Sequence, residues 1–327
     1  MIGTRAEVSD VAQAARAIRD AERITAICHE NPDADTIAGA VAVGLMADRL
    51  GTPSEIVSVD PIDPRFDFLA RYDEIRTHPS LEPGLAVVCD AATLERVGRL
   101  TTESAAWLAG ARLLNVDHHV TNSRFGVINL VDPAAAATCE VLDGLVEELG
   151  IALDADLATA LLAGIVRDSN GFADPSTSPH TLRVTARLME AGTSLAAVYR
   201  RIHHEMPTNQ MALWGRLLHR MREHRSGEVV YTILTPQMLT ETETEQHDAD
   251  GVAEFMFKGR GVKAAVLLRE LGPRQTRVSL RTNDALDATT VASVFGGGGH
   301  ARRAGCTIEL PAEQAAARLM EALDTTL

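Results

Sequence analysis

The sequence predicts an α/β protein: an N-terminal domain with a mostly parallel sheet flanked by helices, a helical linker, and a smaller C-terminal α+β domain. Three observations predict it. Over the first two-thirds of the chain, short β-branched runs alternate with longer helical patterns, as parallel βαβ units require. The pattern changes character beyond the stretch 195–226, where strands dominate. The 327 residues, 46% hydrophobic and 23% charged, suffice for one large or two medium domains of roughly 100–200 residues each, and are too apolar for a disordered tail.

In chain order, Ile24–Cys28 reads as a strand and Asp35–Leu50 as a helix stopped by Gly51; Glu55–Val59, Leu85–Cys89 and Leu113–Val116 read as further strands. Helices follow at Thr138–Leu149, ended by Gly150, at Ala155–Val166 behind Asp154 as N-cap, and at Pro179–Ala191 and Pro207–Arg222. In the smaller domain Glu228–Leu234, Ala264–Arg269 and Arg277–Arg281 read as strands, Thr289–Phe295 as a helix running into Gly296–Gly299, and Ala312–Leu323 as a last helix.

Charge is unevenly spread. Residues 1–205 carry 17 basic and 30 acidic side chains, whereas 206–327 carry 14 and 15. A net −14 excludes a protein that coats long double-stranded nucleic acid through a general basic surface. Lys258, Arg260 and Lys263 cluster, and read as solvated surface charges, with contact to a longer oligonucleotide as the alternative. The scattered Cys28, Cys89, Cys139 and Cys306 read as buried free thiols. MIGTRAEVSD lacks a basic segment followed by an apolar one, and the longest apolar run, Ala38–Ala47, is far below the roughly 20 residues of a membrane helix; a cytoplasmic protein without membrane partners is expected.

The strand Ile24–Cys28 runs into His29, Asp33 and Asp35. Leu85–Cys89 ends at Asp90, and Leu113–Val116 at Asp117, His118 and His119; Asp168 follows the apolar run Leu157–Val166. Taken singly these residues read as helix caps, turn residues or core histidines. Together they place His or Asp at the carboxyl ends of three strands, where open α/β sheets gather ligands. Oxygen and imidazole donors without cysteine suit Mn²⁺, Mg²⁺ or a similar ion. A pair of such ions lowers the pKa of a bridging water and clamps a phosphoryl group, so phosphoester hydrolysis is the reaction class expected. In the smaller domain, the four-glycine run before His300, Arg302 and Arg303 can bring backbone N–H groups and cations to a phosphate.

His29-x3-Asp33-x-Asp35, Asp90, Asp117-His118-His119 and Asp168, followed by Gly296 to Gly299 and His300, resemble the DHH/DHHA1 phosphoesterase superfamily in order and over nearly the whole chain. Length and layout are most similar to its NrnA-like branch, bifunctional oligoribonucleases and 3′-phosphoadenosine 5′-phosphate (pAp) phosphatases. The resemblance implies a DHH metal-binding catalytic domain over 1–205, and a linker helix plus DHHA1 substrate-binding domain over 206–327. It implies two Mn²⁺, with Mg²⁺ or Co²⁺ as alternatives: His29 and Asp33 on one, Asp35, His118 and Asp168 on the other, Asp90 bridging. Asp117 would orient a ligand, and His119 would face the phosphate or leaving oxygen. Gly297, Gly298, Gly299, His300, Arg302, Arg303 and the Arg281 of Ser279-Leu280-Arg281 would grip the nucleotide. Two departures stand out: Arg303 occupies a position usually alanine, and Ser169-Asn170 replaces Thr-Gly after Asp168.

The implied activity is hydrolysis of short RNA, pAp, or a linear or cyclic dinucleotide such as pApA or c-di-AMP, by a homodimer. The alternatives are another DHH hydrolase, a pyrophosphatase or RecJ-like exonuclease, or a nucleotide sensor without catalysis.

Overall fold

The structure is a computed structural model that describes residues 8–326, with Val8, Ser9 and His300 described by their backbone alone. The first residues, on which the expectation of no leader rests, lie outside the described ones. The chain divides into two compact units, one ending at Glu205 and the other beginning at Met206.

The first unit is built on five strands, β1 (Ile24–Ile27), β2 (Ser54–Val57), β3 (Leu85–Cys89), β4 (Arg112–Asp117) and β5 (Ile128–Val131). They lie in the order β2-β1-β3-β4-β5, and every neighbouring pair is parallel. β1 and β3 are buried at every position, the continuous apolar pattern of a sheet covered on both faces. On one face the helices Val8–Arg19, Ala34–Leu50, Thr138–Leu149 and Ala155–Asp168 enclose the main core. On the other, Val97, Leu100 and Leu108 close over Ile27, Val57, Ala86 and Val88. The Ala34–Leu50 helix is buried from Ala34 to Ala47 because helices pack on its outer side as well as the sheet on its inner side; Gly51, at φ 72°, ends it.

The second unit has a mixed sheet of β6 (Arg222–His224), β7 (Val229–Leu234), β8 (Ala264–Gly272), β9 (Gln275–Thr282), β10 (Gly298–His300) and β11 (Arg303–Ile308). The order is β10-β11-β9-β8-β7-β6, antiparallel except for the β7–β8 pair. Ala288–Ser293 and Ala312–Thr326 pack on one face, Thr208–His219 and Val252–Phe257 on the other.

Some expected boundaries move. The Pro207–Arg222 helix is Thr208–His219, and Arg222 starts β6, pairing with Tyr231. Within the glycine run, Gly298 and Gly299 belong to β10, paired with β11. Asp168 is the last residue of its helix, not a residue beyond it. All four cysteines are free and buried. No helix among the described residues is long and apolar enough to cross a membrane.

Candidate metal centre

Each strand end delivers its side chains to one edge of the parallel sheet. His29 follows β1 closely, Asp90 follows β3 directly, and Asp117 closes β4 with His118 and His119 behind it. Asp33 is the N-cap of the Ala34–Leu50 helix, its Oδ1 accepting from the amides of Asp35 at 3.0 Å and Thr36 at 3.3 Å. Capping engages Oδ1, so Oδ2 could still serve as a donor. Asp35, in the first turn, is fully buried, and Asp168 reaches the same region from the far end of its helix.

The ligand atoms of His29, Asp33 and Asp90 lie within 4.8 Å of one another, and so do those of Asp35, Asp90, His118 and Asp168. Asp90 belongs to both groups and presents one oxygen to each. Its Oδ2 is 3.5 Å from His29 Nε2, and its Oδ1 is 3.5 Å from His118 Nε2. Asp90 holds this position at φ 60°, a left-handed conformation that costs energy in any residue but glycine. Each imidazole is turned by a bond at its other nitrogen. His29 Nδ1 lies 2.7 Å from the Glu30 carbonyl and His118 Nδ1 3.3 Å from that of Ala135, leaving both Nε2 atoms aimed at carboxylates. Backbone anchoring of this kind accompanies metal-ligating histidine.

The donor set fits a divalent cation. His118 Nε2 is buried without a hydrogen-bond partner, although Asp168 Oδ2 is 3.1 Å away. Burial, with Asp168 and Asp90 close by, pushes Asp35 well above the usual carboxylate range, and burial raises Asp168 as well. Against burial, which opposes its charge, the nearby carboxylates of Asp168, Asp35 and Asp90 raise His118 to about 10. Asp90 is pulled down to about 2 by the three histidines, although burial opposes this too. Among the described residues no cysteine joins these groups, and burial pushes the Cys28 thiol up to about 12 and raises those of Cys89 and Cys139.

His119 is half-exposed, and with Asp90 and His118 it forms a third group of candidate ligand atoms within 4.8 Å of one another, its Nδ1 3.6 Å from Asp90 Oδ1. Its Nδ1 lies 2.7 Å from Asp117 Oδ1. Asp117 is fully buried, with its carboxylate against His119. It holds His119, and is held in turn by the His118 amide at 2.8 Å and Asn122 Nδ2 at 2.5 Å.

Two contributors escape the sequence reading. Thr138, fully buried, donates from Oγ1 to Asp90 Oδ1 at 2.9 Å and from its amide to Asp35 Oδ2 at 2.6 Å. Gly164 faces Asp35 so closely that a Cβ there would lie 2.2 Å from Oδ1. Thr138 reads as an ordinary helix start and Gly164 as a helix-interior glycine, and no spacing rule links either to the ligands.

In the second unit, Arg281 Nε donates to Glu254 Oε1 at 2.6 Å, and Arg303 Nη2 lies 3.9 Å from the same oxygen. Arg302 is engaged by Asp284 and the Asn283 carbonyl, on the segment that follows β9. Gly297 and Gly299 pack on β11: a Cβ at Gly297 would meet the Gly305 carbonyl at 2.2 Å and one at Gly299 the Arg303 carbonyl at 2.4 Å, whereas Gly298 faces open space. The side chain of His300 lies outside the described atoms.

The DHH family N-terminal domain matches residues 23–165, and the DHHA1 domain matches residues 227–327. A bifunctional oligoribonuclease and PAP phosphatase NrnA of Thermus thermophilus is 32% identical over 90% of this chain and 87% of its own length. Its counterpart of the same name in Bacillus subtilis is 25% identical over 86% and 87%. Among solved structures, an exopolyphosphatase-related protein from Bacteroides fragilis shares the fold with a TM-score of 0.89 over 98% of this chain and 97% of that one, at 18% identity.

Proposed function

The chain belongs to the DHH/DHHA1 phosphoesterase superfamily, in its NrnA-like branch, and from that premise we propose that it hydrolyses short oligoribonucleotides and pAp, or linear and cyclic dinucleotides such as pApA and c-di-AMP, with two Mn²⁺ as cofactor. It is a phosphoester hydrolase by family. The observation that supports the finer reading is Asp90, whose two oxygens face two separate ligand groups.

In this reading His29 and Asp33 hold one ion, Asp35, His118 and Asp168 the other, and Asp90 both. Bound there, the pair would lower the pKa of water and offset the negative charge of the scissile phosphate. The chain's own residues do the rest. Asp117 accepts the Nδ1 proton of His119 and so leaves Nε2 as the atom that hydrogen-bonds a phosphate oxygen or delivers a proton to the leaving oxygen. That same bond raises the pKa of His119, which favours the protonated, donating form. In the second unit, Arg281 and Arg303 converge on the Glu254 carboxylate, an anion that a substrate phosphate would replace; Gly298, His300 and Arg302 complete the proposed grip. Short substrates follow from charge. The unit that holds the ligands carries 30 acidic against 17 basic side chains, which opposes a long polyanion but not a nucleotide held at the ions.

The test is a side-by-side panel with Mn²⁺: di- to pentaribonucleotides, pAp, pApA and c-di-AMP. Release of mononucleotide or phosphate from at least one supports the reading. No turnover of any by metal-loaded protein overturns it, and hydrolysis of inorganic pyrophosphate alone would move the chain to a different hydrolase class.

A further inference from the structure

We infer that Thr138 is a positioning residue for the metal centre, its hydroxyl fixing the rotation of the Asp90 carboxylate so that each oxygen faces one ligand group. The inference rests on the proposed reading of Asp90 as the shared ligand. Rotation about the last side-chain torsion of an aspartate is soft and broad, so a carboxylate that must serve two groups at once needs a fixed partner. The imidazoles around Asp90 stand at 3.5 Å for His29, 3.5 Å for His118 and 3.6 Å for His119. Thr138 Oγ1 is nearer, at 2.9 Å, and as a hydroxyl against a carboxylate it donates.

The residue also touches two members of one group at once, Asp35 and the shared Asp90. Thr138 opens the helix Thr138–Leu149, whose N-cap, Ala137, has no side chain that can accept from the first amides. Asp35 supplies the cap from another element: its Oδ2 accepts from the Thr138 amide at 2.6 Å and its Oδ1 from the Cys139 amide at 3.0 Å. One helix start thus holds Asp35 through its backbone and Asp90 through a single hydroxyl. The two contacts are separable, because valine keeps the amide and nearly the same volume while deleting only the hydroxyl.

The experiment is Mn²⁺ titration of metal-stripped wild type, T138V and T138S, read by calorimetry and by the electron paramagnetic resonance of the bound ions, with melting curves to establish folding. T138V is expected to weaken Mn²⁺ binding roughly 10- to 100-fold, the usual consequence of removing a partner behind a metal ligand, and to lose the exchange-coupled signal of an ion pair. T138S, which keeps the donor, is expected to match wild type in both. Wild-type affinity and signal in T138V overturn the inference, as does equal loss in T138V and T138S, because T138S keeps the hydroxyl. Should T138V not fold, T138A against T138S carries the same comparison, and equal affinity in those two overturns it. If wild type itself binds no Mn²⁺, the reading of the cluster fails and the inference falls with it, an outcome distinct from a wild type that binds and a T138V that binds equally well.

Discussion

His119 Nδ1 and Asp117 Oδ1 are 2.7 Å apart, and Asn122 reaches the other Asp117 oxygen at 2.5 Å. A carboxylate only accepts, so the proton sits on Nδ1 and the imidazole presents Nε2 outward in one fixed tautomer. His119→Ala is expected to lower kcat by roughly 10²- to 10⁴-fold with metal content unchanged. Asp117→Asn, whose amide can itself donate to Nδ1 and so favour the other tautomer, is expected to lower kcat about 10²-fold or more. Turnover alongside metal analysis checks both; turnover at the wild-type level in either variant contradicts the assigned roles.

Gly164 separates packing at the ligand cluster from ordinary helix propensity. A Cβ at Gly164 would lie 2.2 Å from Asp35 Oδ1 and 2.4 Å from Cys139 Sγ, both fully buried, whereas one at Gly215 meets nothing within 4 Å. Gly164→Ala is expected to destabilise by about 1–3 kcal/mol, as overpacking does, and to weaken metal binding because Asp35 must move. Gly215→Ala, on the Thr208–His219 helix, is expected to stabilise by about 0.5–1 kcal/mol. Urea melts of the two variants check the opposite signs.

The candidate site was legible wherever a ligand directly follows an apolar strand. His29, Asp90, Asp117, His118 and His119 all sit there, and the parallel order of β1, β3 and β4 brings their carboxyl ends together. Thr138 was not legible, because its partner Asp90 is 48 residues away and its own neighbourhood reads as a helix start. Gly164 escaped for the same reason, its constraint being a side chain on another helix. The fold divides in the same way. β3 coincides with its expected span, but β5 is a four-residue edge strand and β6 is Arg-Glu-His, neither with an alternating apolar pattern. β10 is glycine-rich and becomes a strand only through pairing with β11. Hydrophobic periodicity reports burial, so strands formed by pairing alone escape it.

Asp143 sets a pH dependence of stability away from the ligands. It lies on the Thr138–Leu149 helix, buried beside Arg187, and burial outweighs the ion pair to push its carboxyl up from 3.8 to about 6. Between those values the folded state holds a proton that the unfolded chain has released. The stabilising contribution is therefore complete below about pH 4 and lost as pH rises through about 6, at a cost of roughly 2–3 kcal/mol. Asp143→Asn cannot titrate, so relative to wild type it is expected to gain stability between pH 4 and pH 7. Urea melts at both values check this; a wild-type-minus-variant difference that does not change with pH contradicts it.

Metal removal tests whether the acidic cluster is a ligand set or merely a region of high charge density. Asp33, Asp35, Asp90 and Asp168 converge in a unit with 30 acidic against 17 basic side chains, and two divalent ions would offset about 4 of those charges. If the ions are ligated, Mn²⁺ at about 100 times its Kd stabilises the folded chain by ~2.7 kcal/mol, and a chelator removes that increment. Diffuse screening makes a different prediction, since any salt of equal ionic strength would then serve. Melting curves in chelator, in Mn²⁺ and in KCl matched for ionic strength discriminate the two, with the rise in Tm expected for Mn²⁺ alone. Asp90→Asn, which weakens the shared ligand, is expected to remove more of the Mn²⁺-dependent rise than Asp33→Asn, because Asp33 belongs to one ligand group and Asp90 to both. An equal rise in KCl, or an Asp90→Asn variant with the full Mn²⁺ response, contradicts ligation at this site.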